Sequence, residues 1–315
     1  MDNFPTLSAG VVMNTQAHRL SEKKLRKVKE KAIETLLFLA AFSAVATTTA
    51  IVAILLYEAS GFFEHVSIVE FLTNTQWTPM FENPQYGILP LLSGTLVTTG
   101  VALAVAVPIG VIVAIYLSEF APHKVRETVK PFLELLEGVP TVVYGYFALL
   151  FVTPLLQIFM PNLPGFNMLG PGIVIGIMII PYVSSVSEDA MRAVPMSLRE
   201  GSYAMGATRF QTAVNVVFPA SISGVLAAFI LGISRAVGET MVVAVAAGQQ
   251  PNFTWNPSEP AATITAYIVQ VAMGDLPHGS IAYQSIFAAG LVLVLMTLVF
   301  NILGHMLRRR FREAY

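Results

Sequence analysis

LLSGTLVTTGVALAVAVPIGVIVAIYLS, residues 91–118, runs for 28 residues without one charged side chain. A bilayer core of about 30 Å needs roughly 20 residues of helix, so this stretch reads as a membrane crossing. Outward from it lie five more apolar runs: Ala32–Tyr57, Gly138–Met160, Gly170–Ser187, Pro219–Gly248 and Ile281–Leu307. The fourth is short and interrupted by Pro181, and the fifth is long and carries two charges. Across the 315 residues, 55% are hydrophobic and 12% charged, with a mean hydropathy of +0.68. A soluble domain carries roughly 25% charged residues, so a water-soluble globule is excluded. The expected fold class is an all-α integral membrane protein with six transmembrane helices.

The first run exceeds the roughly 7–15 apolar residues of a secretory signal, although the small residues Ala44–Ala50 resemble a cleavage region. A retained first span is expected. There is no cysteine, which removes disulfides, thiol catalysis, iron–sulfur clusters and Cys-ligated zinc. Five scattered histidines without an HExxH pair give no metal centre.

Orientation follows from charge. Arg19, Lys23, Lys24, Arg26, Lys27, Lys29 and Lys31 precede the first span. Lys124, Arg126 and Lys130 lie between spans two and three, and Arg192, Arg199 and Arg209 between four and five. Arg308, Arg309, Arg310 and Arg312 follow the sixth. The other connections, near 58–90, 161–169 and 249–280, hold no Lys or Arg. Positive residues favour the cytoplasmic side, which predicts both termini inside, as an even number of spans requires. The expected organisation is a basic N-terminal segment over 1–31, a peripheral first span over 32–57 and an outer loop over 58–90. A five-helix core over 91–307 and a basic tail over 308–315 follow. The segment to about Gln16 lacks periodicity and reads as disordered, whereas Ser21–Glu34 has helix formers and alternating charge.

The outer connections carry both tryptophans, Trp77 and Trp255, with Phe62, Phe63, Phe71 and Phe81 beside Glu58, Glu64, Glu70 and Glu82. This composition suits interfacial anchoring with a short helix on the outer leaflet, or a docking face for an external partner.

Of 18 basic residues, Arg235 alone falls inside a span, within Ser234-Arg235-Ala236-Val237-Gly238-Glu239-Thr240. A charge at mid-bilayer costs about 2.5–3.5 kcal/mol on insertion scales. A four-residue spacing on one helix puts Arg235 and Glu239 on the same face. Two readings stand: a buried ion pair that fixes helix packing, or an anion step in which the guanidinium binds an oxyanion through two parallel hydrogen bonds.

The second signal is EGSYAMGATRFQTAVNVVFPAS, residues 200–221. Met196–Met205 suits a short helix, Gly206 allows a sharp turn, and a further helical stretch leads to Pro219 opening span five. This is either a docking element on the inner face, over about 192–218, or an ordinary connection.

This segment resembles the cytoplasmic loop of binding-protein-dependent ABC importer permeases, whose pattern is E-A-A, three residues, G, nine residues, I, one residue, L-P. Glu200, Gly206 and Pro219 match at full spacing, with Ala204 inside the first interval. Gly201 and Ser202 stand in place of the two alanines, Val216 of Ile and Phe218 of Leu. Gly87-Ile88-Leu89-Pro90, Ser93-Gly94-Thr95-Leu96, Pro108, Ala114–Glu119, Leu135–Gly145 and Ser234–Thr240 resemble the phosphate (Pst) importer permeases, and among them the PstC type. The likeness runs from about residue 60 to 305.

The resemblance implies an inner-membrane permease subunit of an ATP-driven phosphate importer. It implies a second permease of PstA type, two cytoplasmic ATPase subunits that bind ATP and Mg, and an external phosphate-binding protein. Glu200, Gly201, Ser202, Ala204, Gly206 and Pro219 would form the ATPase-coupling loop, and Arg235 with Glu239 the charged pair of phosphate passage. The residues agree on one negative point: there is no GxxxxGK[ST] loop, so no cofactor is expected in this chain. No catalytic set appears, and Glu134 and Glu137 suit solvated or capping roles. The alternatives are an ABC permease for sulfate or molybdate, or an ion-coupled carrier using Arg235 and Glu239.

Overall fold

The computed structural model describes the backbone of residues 8–310 except Asp275 and His278, without the side chains of residues 8–25, Val28 and Glu134. The basic side chains of Arg19, Lys23, Lys24 and Arg312, and the carboxylate of Glu134, therefore lie outside the described residues. The chain divides into two units, Met1–Tyr57 and Glu58–Tyr315.

The first unit is the greater part of helix α1 (Ser8–His65). Leu36–Tyr57 carries no charged residue, and its large apolar side chains are exposed around the helix, as a membrane span requires. The backbone is helical from Ser8, so over Ser8–Gln16 the expected disorder is replaced by an extension of the same helix, while residues 1–7 lie outside the described residues. Adding residues to an existing helix avoids the cost of nucleation.

In the second unit, α3 (Leu89–Ile115) and α7 (Leu169–Arg192) form the central pair. Their approach is set by small residues. A Cβ on Gly176 would lie 2.7 Å from the Ala102 carbonyl oxygen, and one on Gly172 2.7 Å from Val101. Membrane helices lack a hydrophobic drive toward one another and associate through such close backbone packing. Ala102, Ala106, Ile175, Met178, Ile179 and Val183 are the fully buried result. Pro181 does not interrupt the fourth span, which continues through it to Arg192. A proline is tolerated in a membrane helix when neighbouring helices enclose the freed backbone, and α7 is the most enclosed of the five long apolar helices among the described residues.

A π-helical turn, Tyr116–Phe120, ends the second span, and α4 (His123–Glu137) follows. The third span is α5 (Thr141–Phe147), a π-helical turn over Ala148–Val152 and α6 (Thr153–Phe159). After α7 come α8 (Met196–Ala204), α9 (Arg209–Thr212), a π-helical turn over Ala213–Val217 and α10 (Phe218–Ala220). The last span is α14 (Ile281–Arg310).

Span five differs from a single helix over Pro219–Gly248. It opens at Ile222 rather than Pro219, after a 71° bend between Arg209–Ala220 and α11 (Ile222–Val237). It stops at Val237, breaks over Gly238–Thr240 and resumes as α12 (Met241–Ala246). Among the described residues, five helices are long and apolar enough to cross a membrane, and six if this bent pair counts as one.

The end of the unit that lacks Lys and Arg carries α2 (Ile68–Thr73) and α13 (Ile264–Ala272). Trp77 is not at a lipid interface there. It is 1% exposed, with ring centroids 5.0 Å from Tyr267 and 6.2 Å from both Phe71 and Tyr86. Aromatic edges attract aromatic faces in such T-shaped pairs, so the outer loop folds on its own rings. Trp255 is 62% exposed beside Phe253. No strand occurs among the described residues beyond the single bridge Trp77–Tyr86.

Candidate functional site

The break in span five separates the two charges that a continuous helix would have aligned. Gly238 caps α11, and its N–H bonds back to the Ser234 carbonyl at 3.2 Å. Glu239 is 8% exposed, and its Oε1 accepts the backbone N–H groups of Met241 (3.2 Å) and Val242 (3.3 Å). The first N–H groups of a helix lack partners within it, and the carboxylate supplies one. Thr265 Oγ1 of α13 donates to the Glu239 carbonyl at 2.7 Å, fixing the break from the other side. Gly145 of α5 completes the seat: a Cβ there would lie 3.1 Å from the Met241 carbonyl oxygen.

Arg235 is left without an ion pair or hydrogen bond among the described residues, and its Nε is fully buried. Ser234 Oγ, next in the chain, is buried and unpaired as well. Ala236 packs in the same core as Met178 and Ile179, near the middle of the 24-residue α7. Arg235 is therefore held at about mid-depth of the bundle. Tyr144 of α5 lies within electrostatic reach of the guanidinium and donates its own hydroxyl to the Leu136 carbonyl at 2.7 Å. The expected Arg235–Glu239 pair on one helical face is thus not formed.

At the opposite end from Trp77, the 200–221 segment takes the helix–turn–helix shape its spacing predicts, except that Pro219 lies in α10 instead of opening span five. Gly206 has φ +82°, a left-handed conformation that favours glycine. Thr208 opens α9 with a reciprocal capping box to Gln211. Glu200, Gly201, Ala204, Gly206 and Pro219 are exposed, and Ser202 is half-buried against Thr212, 2.9 Å between hydroxyl oxygens. Met196, Met205 and Phe210 stand 64–88% exposed around them.

Among the basic residues that mark topology at this end, Arg126, Lys130, Arg192 and Arg199 also form ion pairs. Glu188 of α7 is fully buried and meets Lys130 and Arg126 of α4 and Arg192. Burial opposes the Lys130 charge, but the hydrogen bonds and negative charges of Glu188 and Asp189 outweigh it and raise the ammonium above its ordinary range. Arg199 of α8 pairs with Glu119 at 2.9 Å. The available signal was the acids: Glu119 and Glu188 close long apolar runs, where an unpaired carboxylate would be costly. Glu137 lines a cavity of about 180 Å³ with Lys130 and Tyr182.

A helical bundle with a broken span and an exposed helix–glycine–helix projection matches a known class. Residues 106–313 fit the family model of the binding-protein-dependent transport system inner membrane component. The chain belongs to this family of multi-pass inner-membrane permeases. Among its relatives, the probable ABC transporter permease protein YqgH of Bacillus subtilis is 38% identical over 245 residues, covering 78% of this chain and 79% of that one. The phosphate transport system permease protein PstC of Xylella fastidiosa is 32% identical, covering 77% and 79%. A probable PstC of Methanocaldococcus jannaschii is 29% identical over 313 residues, covering 93% and 97%. The fold is that of a bacterial ABC transporter involved in import of the acidic polysaccharide alginate, with a TM-score of 0.63 at 16% identity over 91% of this chain and 100% of that one.

Proposed function

We propose that the chain is a permease subunit of an ATP-driven phosphate importer and that Arg235 is the anion step in its half of the pathway. The observation that carries this reading is the unpaired, partly buried guanidinium at mid-depth, in a chain about one-third identical to named PstC permeases. A cation there costs about 2.5–3.5 kcal/mol on insertion scales, and no carboxylate offsets it within the described residues. An oxyanion accepts two parallel N–H bonds from the guanidinium fork. Glu239 shapes the site by fixing the turn beyond Arg235, not by neutralising it.

The basic end is then cytoplasmic, with both termini inside. The α8–Gly206–α9 projection takes the stroke of a cytoplasmic ATPase, where ATP and Mg are held. A second permease of PstA type completes the pathway, and an external binding protein delivers phosphate at the end that carries α2 and α13. Sulfate or molybdate is the nearest alternative cargo.

The test is uptake by proteoliposomes holding both permeases and the ATPase, with binding protein outside. ATP-dependent phosphate entry that sulfate and molybdate do not compete with supports the reading. Uptake by this chain alone, without ATP, overturns it.

A further inference from the structure

Arg199 differs from every other described basic residue at this end, because it is buried. It is 8% exposed and makes four hydrogen bonds: Nη1 donates to the Val194 carbonyl at 2.6 Å, and Nη2 to the Met191 carbonyl at 2.9 Å. Nη2 also reaches Glu119 Oε1 at 2.9 Å, and Nε reaches Oε2 at 3.4 Å. Three elements meet in this one guanidinium: α8 that carries it, the C-terminal turn of α7, and the π-helical turn that ends α3. Ser118 Oγ donates to Glu119 Oε1 at 2.8 Å and holds the acceptor in place. Arg126 of α4 donates twice to the Leu117 carbonyl, at 2.8 and 2.9 Å, and closes the same turn from outside.

The rest of α8 is loosely attached. Glu200, Gly201, Tyr203 and Ala204 are exposed, while Leu198 is half-buried beside Met191 and Val194. Ser202 Oγ meets Thr212 Oγ1 of the neighbouring α9. A buried ion pair is weak evidence for stability, since apolar replacements often match it. What a planar five-donor fork adds is direction: four bonds to fixed acceptors leave α8 no rotation against α3 and α7.

The geometry points to Arg199 as a positioning residue for transport: through Glu119 and the Met191 and Val194 carbonyls, it makes α8 move as one body with the ends of α3 and α7. This rests on the proposed reading of the α8–Gly206 loop as the ATPase contact. A displacement of α8 is then delivered to the central helix pair, and through α7 to the core beside Arg235. Without the fork, α8 slides on Leu198 and the stroke is absorbed locally.

The reconstituted complex is compared with Arg199→Gln, Arg199→Lys and Glu119→Gln. Expected for Arg199→Gln and Glu119→Gln is continued ATP hydrolysis with phosphate transported per ATP reduced at least tenfold. Arg199→Lys falls between, because one ammonium cannot reach all the acceptors. Spin labels on Met205 and Phe120 of the full chain give a readout independent of phosphate and of assembly. Their distance distribution is narrow in the parent and broad in Arg199→Gln. An unchanged transport-to-hydrolysis ratio, including a proportional fall in both, overturns the inference, as does an unbroadened distance. Should the parent complex hydrolyse ATP yet carry no phosphate, the proposed function fails, and the spin-label distances still decide the role of Arg199.

Discussion

The Glu239 carboxylate accepts the Val242 N–H at 3.3 Å and so caps the helix beyond it, leaving Arg235, four residues earlier, without an acid partner among the described residues. Local backbone chemistry defeats the charge pairing that spacing alone suggests. Gly238 ends α11 before a turn can bring Glu239 under Arg235, and the carboxylate accepts the free N–H groups that open α12 instead of those of the guanidinium. The two charges consequently have separable effects on transport and stability.

Replacing Arg235 by Gln is expected to abolish phosphate uptake while the complex assembles. Its melting temperature should hold or rise, because an unpaired buried charge is removed. Arg235→Lys keeps the charge and loses the two-bond fork, so uptake should fall about tenfold, the equivalent of ~1.4 kcal/mol. Radiolabelled phosphate uptake and thermal melts of the same preparations check both.

Glu239 answers to a different pair of substitutions. Glu239→Gln keeps an acceptor oxygen for Met241 and Val242, whereas Glu239→Ala removes it and should cost about 1 kcal/mol, as for a lost helix cap. If pairing with Arg235 governed this residue, the two variants would behave alike. Thermal melts separate the cases.

Gly176 tests the central helix pair. A side chain there meets the Ala102 carbonyl oxygen, a backbone atom that cannot swing aside. Gly176→Val should destabilise the protein by about 1–3 kcal/mol, the usual cost of overpacking. The change should be larger than that of Gly201→Val, where nothing lies within 4 Å of the added Cβ.

Lys130 gives a pH signature. Its ammonium is held above the ordinary lysine range by Glu188 and Asp189, against the opposing effect of burial. A raised folded pKa contributes stability that is complete below the unfolded value, about 10.4, and is lost as pH rises through the folded value. Melting temperature should therefore fall at strongly alkaline pH, and Lys130→Met should flatten that limb of the profile.

Much of the bundle was legible because a lipid solvent demands long uncharged runs, and Leu91–Ser118 or Ile281–Leu307 have no other stable reading. The Gly206 turn was legible as well, since a glycine between two helical stretches allows a sharp turn. The break at Gly238–Thr240 was not, because apolar residues continue through it, and hydropathy does not register which N–H a carboxylate captures. Trp77 misled for a similar reason: aromatic residues in an outer loop suit a lipid interface and a folded ring cluster equally, and the pairing partner, Tyr267, lies 190 positions further along the chain. Arg199 and Glu119 are 80 residues apart, and only tertiary packing brings them together.

The two tryptophans make the molecule its own optical instrument. Trp77, enclosed by Phe71, Tyr86 and Tyr267, emits from a dry, rigid environment, while Trp255 emits from an open one. Their spectra should differ in wavelength, and iodide should quench the second alone. With Trp255→Phe, any residual emission reports whether the ring cluster stays closed as the complex turns over; with Trp77→Phe, it reports arrival of a partner at the exposed loop. No dye need be attached to read either event.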